Sequence, residues 1–185
     1  MKHFLFMYPI EEYFNVEIKN RSYGFNKEYY VERVKKKLNK CIDLRYRQKG
    51  FQINYALFND TKISKIIELK ESDNVVRNGL NFERHIKEKI YPDENFIINQ
   101  LNNPSKLIIS GFHMWDCVEK VAKRAYKSGF DVLVDEDLTE FFFSRIKERN
   151  FILNEYIPYK KRNLDKNSWL MKEILKIREE TPWLS

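Results

Sequence analysis

The sequence predicts a three-layer α/β/α fold with a mostly parallel central sheet. Short apolar runs of strand length alternate with longer amphipathic stretches. Lys106-Leu107-Ile108-Ile109-Ser110, Met114 to Lys127, and Phe130-Asp131-Val132-Leu133-Val134 read as strand, helix and strand. Units of this kind, about 30 residues long, build parallel sheets with right-handed crossovers. The 43% hydrophobic share supplies apolar surface for a buried sheet, while 33% charged residues keep the outside solvated.

His3-Phe4-Leu5-Phe6-Met7-Tyr8 is a continuous apolar run stopped by Pro9, which suits a buried strand. Asn26 is placed to cap a helix running through about Arg47. Val31, Val34, Leu38, Cys41 and Ile42 share one face of it, and Lys35, Lys36, Lys37 and Lys40 the opposite face. Gly50 ends the connection, and Phe51 to Phe58 reads as a second strand. Asn59 to Arg84 is polar and weakly patterned, as expected of excursions at a sheet edge. Asp93 to Leu101 suits a short helix, closed by Pro104.

Within the strand–helix–strand unit, Cys117, Val118, Val121, Ala122 and Ala125 share a helical face. Gly129 stands just past it, where a left-handed cap is wanted. Glu140 to Arg149 and Asn167 to Glu180 read as helices. Between them, Phe151 to Tyr159 reads as a final strand, with Lys160-Lys161-Arg162 exposed after it. The expected organisation is one domain over 1–185 with a helical C-terminal arm from about 160.

Composition excludes several functions. The five glycines, Gly24, Gly50, Gly79, Gly111 and Gly129, are too far apart for a dinucleotide turn or a phosphate loop. Cys41 and Cys117 are the only cysteines, so neither a four-cysteine zinc site nor a disulfide framework is available. No apolar run approaches the roughly 20 residues of a membrane span. Met1 to Pro9 is too short for a signal peptide, so a reduced cytoplasmic setting is expected. The net charge of +7 permits a polyanionic partner. Aromatics are not interleaved with the basic face from Arg33 to Lys40, and nucleic-acid binding there or at Lys160 to Arg162 is not expected.

Ligands of open parallel sheets bind at the carboxyl ends of the strands. Here those ends are Tyr8, Asn59-Asp60 and Gly111 to Cys117. Cys117 falls in the first turn of the helix after its strand, where the helix dipole and unpaired N–H groups favour a thiolate. A nucleophilic cysteine needs that position. The competing reading is a small core residue beside Val118 and Val121. Cys41, mid-helix on the apolar face, reads as core.

The segment Leu107-Ile108-Ile109-Ser110-Gly111-Phe112-His113-Met114-Trp115-Asp116-Cys117-Val118 resembles the nucleophile segment of the isochorismatase-like cysteine hydrolases. Ala125, Gly129-Phe130-Asp131-Val132 and Asp135 to Asp137 resemble the stretch downstream of that segment in the family. The resemblance implies an isochorismatase-like α/β fold and a thioester on Cys117, formed from a C–N or related acyl bond of a small molecule. It implies Lys89, with Lys87 as fallback, as the lysine near the thiolate, and Phe96 as the aromatic beyond it. The family's general-base Asp aligns with Tyr8, and its later aromatic with Tyr13 or Phe14. Met114 stands where the family often has Thr, and the N–H groups of Met114 and Cys117 would form the oxyanion hole. Loss of the Asp implies weak or absent turnover. The alternative is a non-catalytic member that binds a small molecule or a protein. The family's oligomers imply a homo-oligomer.

The nicotinamidase branch holds a metal with an Asp and two His. Asp60 matches the Asp, but no His lies between His3 and His85, so no metal or other cofactor is expected. His113, four residues before Cys117, could activate the thiol or be a satisfied loop residue. Trp115 lines the pocket or packs beneath it. Asp135, Glu136 and Asp137 resemble a magnesium cluster, although capping and solvated roles are commoner at a strand end. Trp183 reads as an interface anchor.

Overall fold

Phe4, Leu5, Phe6 and Met7 of β1 (Lys2–Met7) are all buried, as a strand covered on both faces must be. β1 pairs in parallel with β2 (Phe51–Leu57) on one side and β4 (Lys106–Gly111) on the other. β3 (Asn74–Arg77) extends the sheet beyond β2, and β5 (Val132–Thr139) beyond β4, giving the order β3-β2-β1-β4-β5. The structure is a computed structural model, which describes residues 1–22, 26–146, 148, 151–162 and 168–184.

The order reverses direction at β1, which fixes where the helices go. Right-handed crossovers running opposite ways put their helices on opposite faces of the sheet. α1 (Glu11–Arg21) and α2 (Lys27–Arg45) join β1 to β2 and pack on each other, with α6 (Phe142–Arg145) against α1. α3 (Phe82–Glu88) and α4 (Glu94–Asn99) lead to β4, and α4 packs on α5 (Glu119–Lys127). The side-chain oxygen of Asn26 accepts the Tyr29 N–H at 3.1 Å and caps α2, whose buried face includes Val34, Leu38, Cys41 and Ile42. α1 carries no clear apolar stripe, although Tyr13, Phe14 and Ile18 are buried on it.

Gly111 ends β4 at φ +108, and a Cβ there would sit 2.2 Å from the Met7 carbonyl oxygen. Only glycine lets β1 and β4 end this close together. Gly129, at φ +85, forms the expected left-handed turn before β5.

The C-terminal third departs from expectation. Phe151 to Tyr159 forms no strand; the region holds only a 3-10 turn at Tyr159–Lys161. Arg45 explains part of this, because its guanidinium takes the carbonyl oxygens of Ile152 and Leu153 that a ladder would need. The predicted helix over Glu140 to Arg149 contracts to α6, and Lys147, Arg149 and Asn150 lie outside the described residues. α7 (Trp169–Glu180) matches the predicted last helix, whose expected start at Asn167 lies outside the described residues.

Asp135, Glu136 and Asp137 are not solvated. All three are buried on β5. Arg45 holds Asp135 through both oxygens, Arg145 and Arg162 reach Asp137, and Arg178 of α7 pairs with Glu136. These pairs tie the arm to the sheet edge, and they occupy the carboxylates a magnesium ion would need. Trp183 is likewise no exposed anchor: it is buried in its own chain, with its ring 5.9 Å from that of Tyr126. No helix among the described residues is long and apolar enough to cross a membrane.

Candidate functional site

The strand order makes the gap between β1 and β4 the switch point, so the crevice beyond their carboxyl ends is the place for a ligand. Tyr8 comes directly after β1 in the left-handed region at φ +51, a conformation rare for a bulky side chain. Its N–H still bonds the Ala56 carbonyl at 2.9 Å, so the chain leaves the sheet only after this residue. Beyond β4 the peptide Phe112–His113 is cis, and Met114–Val118 forms a π-helical turn before α5. Cys117 lies in that turn rather than in the first turn of α5.

Tyr8 and Cys117 meet in one small cleft with Tyr91, Pro92, Glu94, Ile97, Lys120 and Val121. The opening holds about 10 Å³, space for one water-sized group. Lys120 lies 3.0 Å from the Tyr91 ring centroid and 2.6 Å from the Asp116 carboxylate. Cys117 is only 5% exposed. Burial pushes its thiol up to about 12, and the neighbouring Asp116 adds to the shift; Lys120 and a backbone hydrogen bond from His113 oppose it. Desolvation thus outweighs the favourable dipoles and works against the thiolate that the position after the strand would otherwise favour. Tyr8 is likewise held well above the usual phenol range by burial, with Cys117 the next contributor.

The remaining candidates separate into those near the cleft and those away from it. Tyr13 is buried beside it, edge-on to the rings of Phe82 and His113, and burial and Cys117 raise its hydroxyl above the usual range. Met114 is buried at the start of the turn. The His113 side chain pairs with Glu140, Nδ1 to Oε2 at 3.1 Å, and does not line the cleft, while its backbone bonds the sulfur. Lys89 is exposed at the left-handed end of α3 and does not line the cleft. Lys120 stands there instead. Trp115 is 48% exposed and Phe96 49% exposed, with Phe96 lying over Gly79; neither lines the cleft. Asp60 accepts the Phe82 N–H at 2.7 Å, and among the described residues no group of three or more His, Cys, Asp or Glu is placed to hold a metal.

Sequence reasoning missed Lys120 and Glu94. Lys120 stands three residues after Cys117, a helical spacing that puts the two on neighbouring positions of one face. Glu94 opens α4, capped by Asp93, and no local pattern links it to Cys117. A second, more open cleft of about 440 Å³ is lined by Glu11, Glu12, Asp60 and Thr61 to Lys65, where Ser64 donates to Glu11 at 2.5 Å.

No protein-family model matches the chain, and no curated protein matches it. Solved structures of similar fold include a protein from Oleispira antarctica assigned as an isochorismatase hydrolase, 20% identical, covering 75% of this chain and 74% of that one at a TM-score of 0.45. The pyrazinamidase of Pyrococcus horikoshii, solved in complex with zinc, is 13% identical over 78% of this chain and 93% of its own, with a TM-score of 0.45. A Burkholderia xenovorans LB400 protein assigned as an isochorismatase is 11% identical over 97% of this chain and 98% of its own, with a TM-score of 0.46.

Proposed function

We propose that the chain is a divergent isochorismatase-like cysteine hydrolase of low turnover, acting on a C–N or related acyl bond of a small molecule through Cys117. The observation that carries this reading is the convergence of a thiol, an ammonium and a carboxylate on one switch-point cleft: Cys117, Lys120 and Glu94. A thiol held at about 12 is a poor nucleophile until a base takes its proton. Glu94, the carboxylate among the lining residues, serves as that base, since Tyr8 stands where the family has its Asp.

The sulfur gives its proton to the Glu94 carboxylate and bonds the acyl carbon. The C–N bond then breaks, and the leaving nitrogen takes the proton back from Glu94. Water releases the acid and restores the thiol. Lys120 stabilises negative charge on the sulfur and on the developing oxyanion. The small opening favours short acyl groups, with any larger portion of the substrate outside it.

Ammonia release from short primary amides tests the reading. Turnover by the wild-type chain, abolished by Cys117→Ala and lowered about 10²- to 10⁴-fold by Glu94→Gln, supports it. Turnover that survives Cys117→Ala counts against it.

The raised thiol favours one second reading, a non-catalytic binding module. That reading expects ligand-dependent thermal stabilisation that persists in Cys117→Ala, with no thioester formed.

A further inference from the structure

The position that the cysteine-hydrolase pattern gives to a proton acceptor carries a phenol here, and the hydrogen bonds around it fix which way that phenol acts. The backbone N–H of Leu80 donates to Asn78 Oδ1 at 2.9 Å. An N–H can only donate, so the Asn78 oxygen faces Leu80 and its NH₂ group faces the other way. That NH₂ donates to the Tyr8 hydroxyl oxygen at 3.2 Å. Asn78 is itself buried, 2% exposed, so this amide has no freedom to turn to solvent. The Tyr8 ring is clamped by stacking on Phe58, with centroids 4.4 Å apart.

One lone pair of the Tyr8 oxygen is thus spoken for, and the O–H remains. Among the described residues no hydrogen bond takes that proton. Tyr8 lines the cleft it shares with Cys117, and that opening has room for about one oxygen-sized group. We infer that Tyr8 is a hydrogen-bond donor to the acyl oxygen, an oxyanion-stabilising group held in orientation by Asn78. The inference rests on the hydrolase reading above and deepens it. Substrates of this cleft carry their reacting carbonyl oxygen against Tyr8, and Tyr8 takes no proton from Cys117. Asn78 is a positioning residue; it acts through Tyr8.

Two reactions of the same sulfur separate this role from any effect on the thiol. Acylation by p-nitrophenyl acetate develops an oxyanion, whereas alkylation by iodoacetamide does not. Tyr8→Phe keeps the ring and its stack on Phe58 and removes only the hydroxyl. It is expected to slow acylation of Cys117 by roughly 10²- to 10³-fold while alkylation stays within about two-fold of wild type. Asn78→Asp offers the phenol an acceptor and turns its proton out of the cleft, so the same selective loss is expected; a circular-dichroism melt of both variants establishes that they are folded. Equal acylation by wild type and Tyr8→Phe overturns the donor role and leaves the hydrolase reading standing. Parallel loss of acylation and alkylation overturns it as well, since Tyr8 would then act on the thiol. A wild-type chain that is alkylated at Cys117 but never acylated overturns the donor together with the hydrolase reading.

Discussion

Arg45, at the end of α2, grips both carboxylate oxygens of Asp135 on β5, at 2.8 and 3.1 Å, with both side chains sealed from solvent. The same guanidinium reaches Asp137 and the Ile152 and Leu153 carbonyl oxygens. It therefore joins a helix layer, the sheet edge and the segment at Ile152 and Leu153 at one point. Breaking a buried pair by removing one partner strands the other charge. Arg45→Met is expected to destabilise the fold by about 3–5 kcal/mol, read as a lowered urea midpoint. A change under about 1 kcal/mol would mean that water reaches this cluster.

Gly111 tests how closely β1 and β4 end. Gly111→Ala places a methyl group against the Met7 carbonyl and forces a side chain to φ +108. A loss on the order of 3 kcal/mol is expected from the clash and the backbone together. Gly50→Ala is the control: it is also left-handed at φ +75, but its Cβ meets nothing within 4 Å. It should cost only about 1–2 kcal/mol. Chemical denaturation of the two variants compares them, and equal losses contradict the close approach.

The pH dependence of Cys117 is set by its raised thiol. Moving from the ordinary 9.0 to about 12 lowers the thiolate fraction near pH 8 by about 10³. Iodoacetamide should label the folded chain far more slowly than the urea-unfolded one, with the rate still climbing above pH 9. The sign for stability is fixed as well. The neutral form is favoured in the fold, so the contribution is present below pH 9 and is lost as pH rises from 9 towards 12. Cys41, also pushed up to about 12 by burial, acts in the same direction. The wild-type stability curve should therefore fall more steeply above pH 9 than that of Cys117→Ala. Superimposable curves contradict the shift.

Lys120 and Lys89 are separable by the same reagent. Lys120 lowers the Cys117 thiol, and its loss should slow alkylation further at fixed pH. Lys120→Met is expected to reduce the rate severalfold, and Lys89→Met to leave it unchanged. A larger effect at Lys89 would reinstate the lysine implied by the resemblance.

The parallel core is legible because apolar runs bounded by Pro9, Gly50 and Gly111 mark strands directly. β3 is not, because a four-residue edge strand with Val75 exposed carries too little pattern. β5 reads too short in sequence: Asp135, Glu136 and Asp137 look like a solvated strand end until their arginines, brought from α2, α6 and the arm, are in view. The candidate site divides in the same way. Tyr8 and Cys117 lie just beyond neighbouring strands, so local sequence places both. Glu94 reaches the cleft only through the packing of α4 on α5, which no spacing encodes.

The most direct measurement is tandem mass spectrometry of the chain quenched in acid within seconds of mixing with a short activated acyl ester at neutral pH. An acid-stable thioester on the peptide containing Cys117, absent from Cys117→Ala and hydrolysed on longer incubation, is the result expected. Cys117 left unmodified, while iodoacetamide reaches it in a parallel sample, would contradict acyl transfer at this cleft.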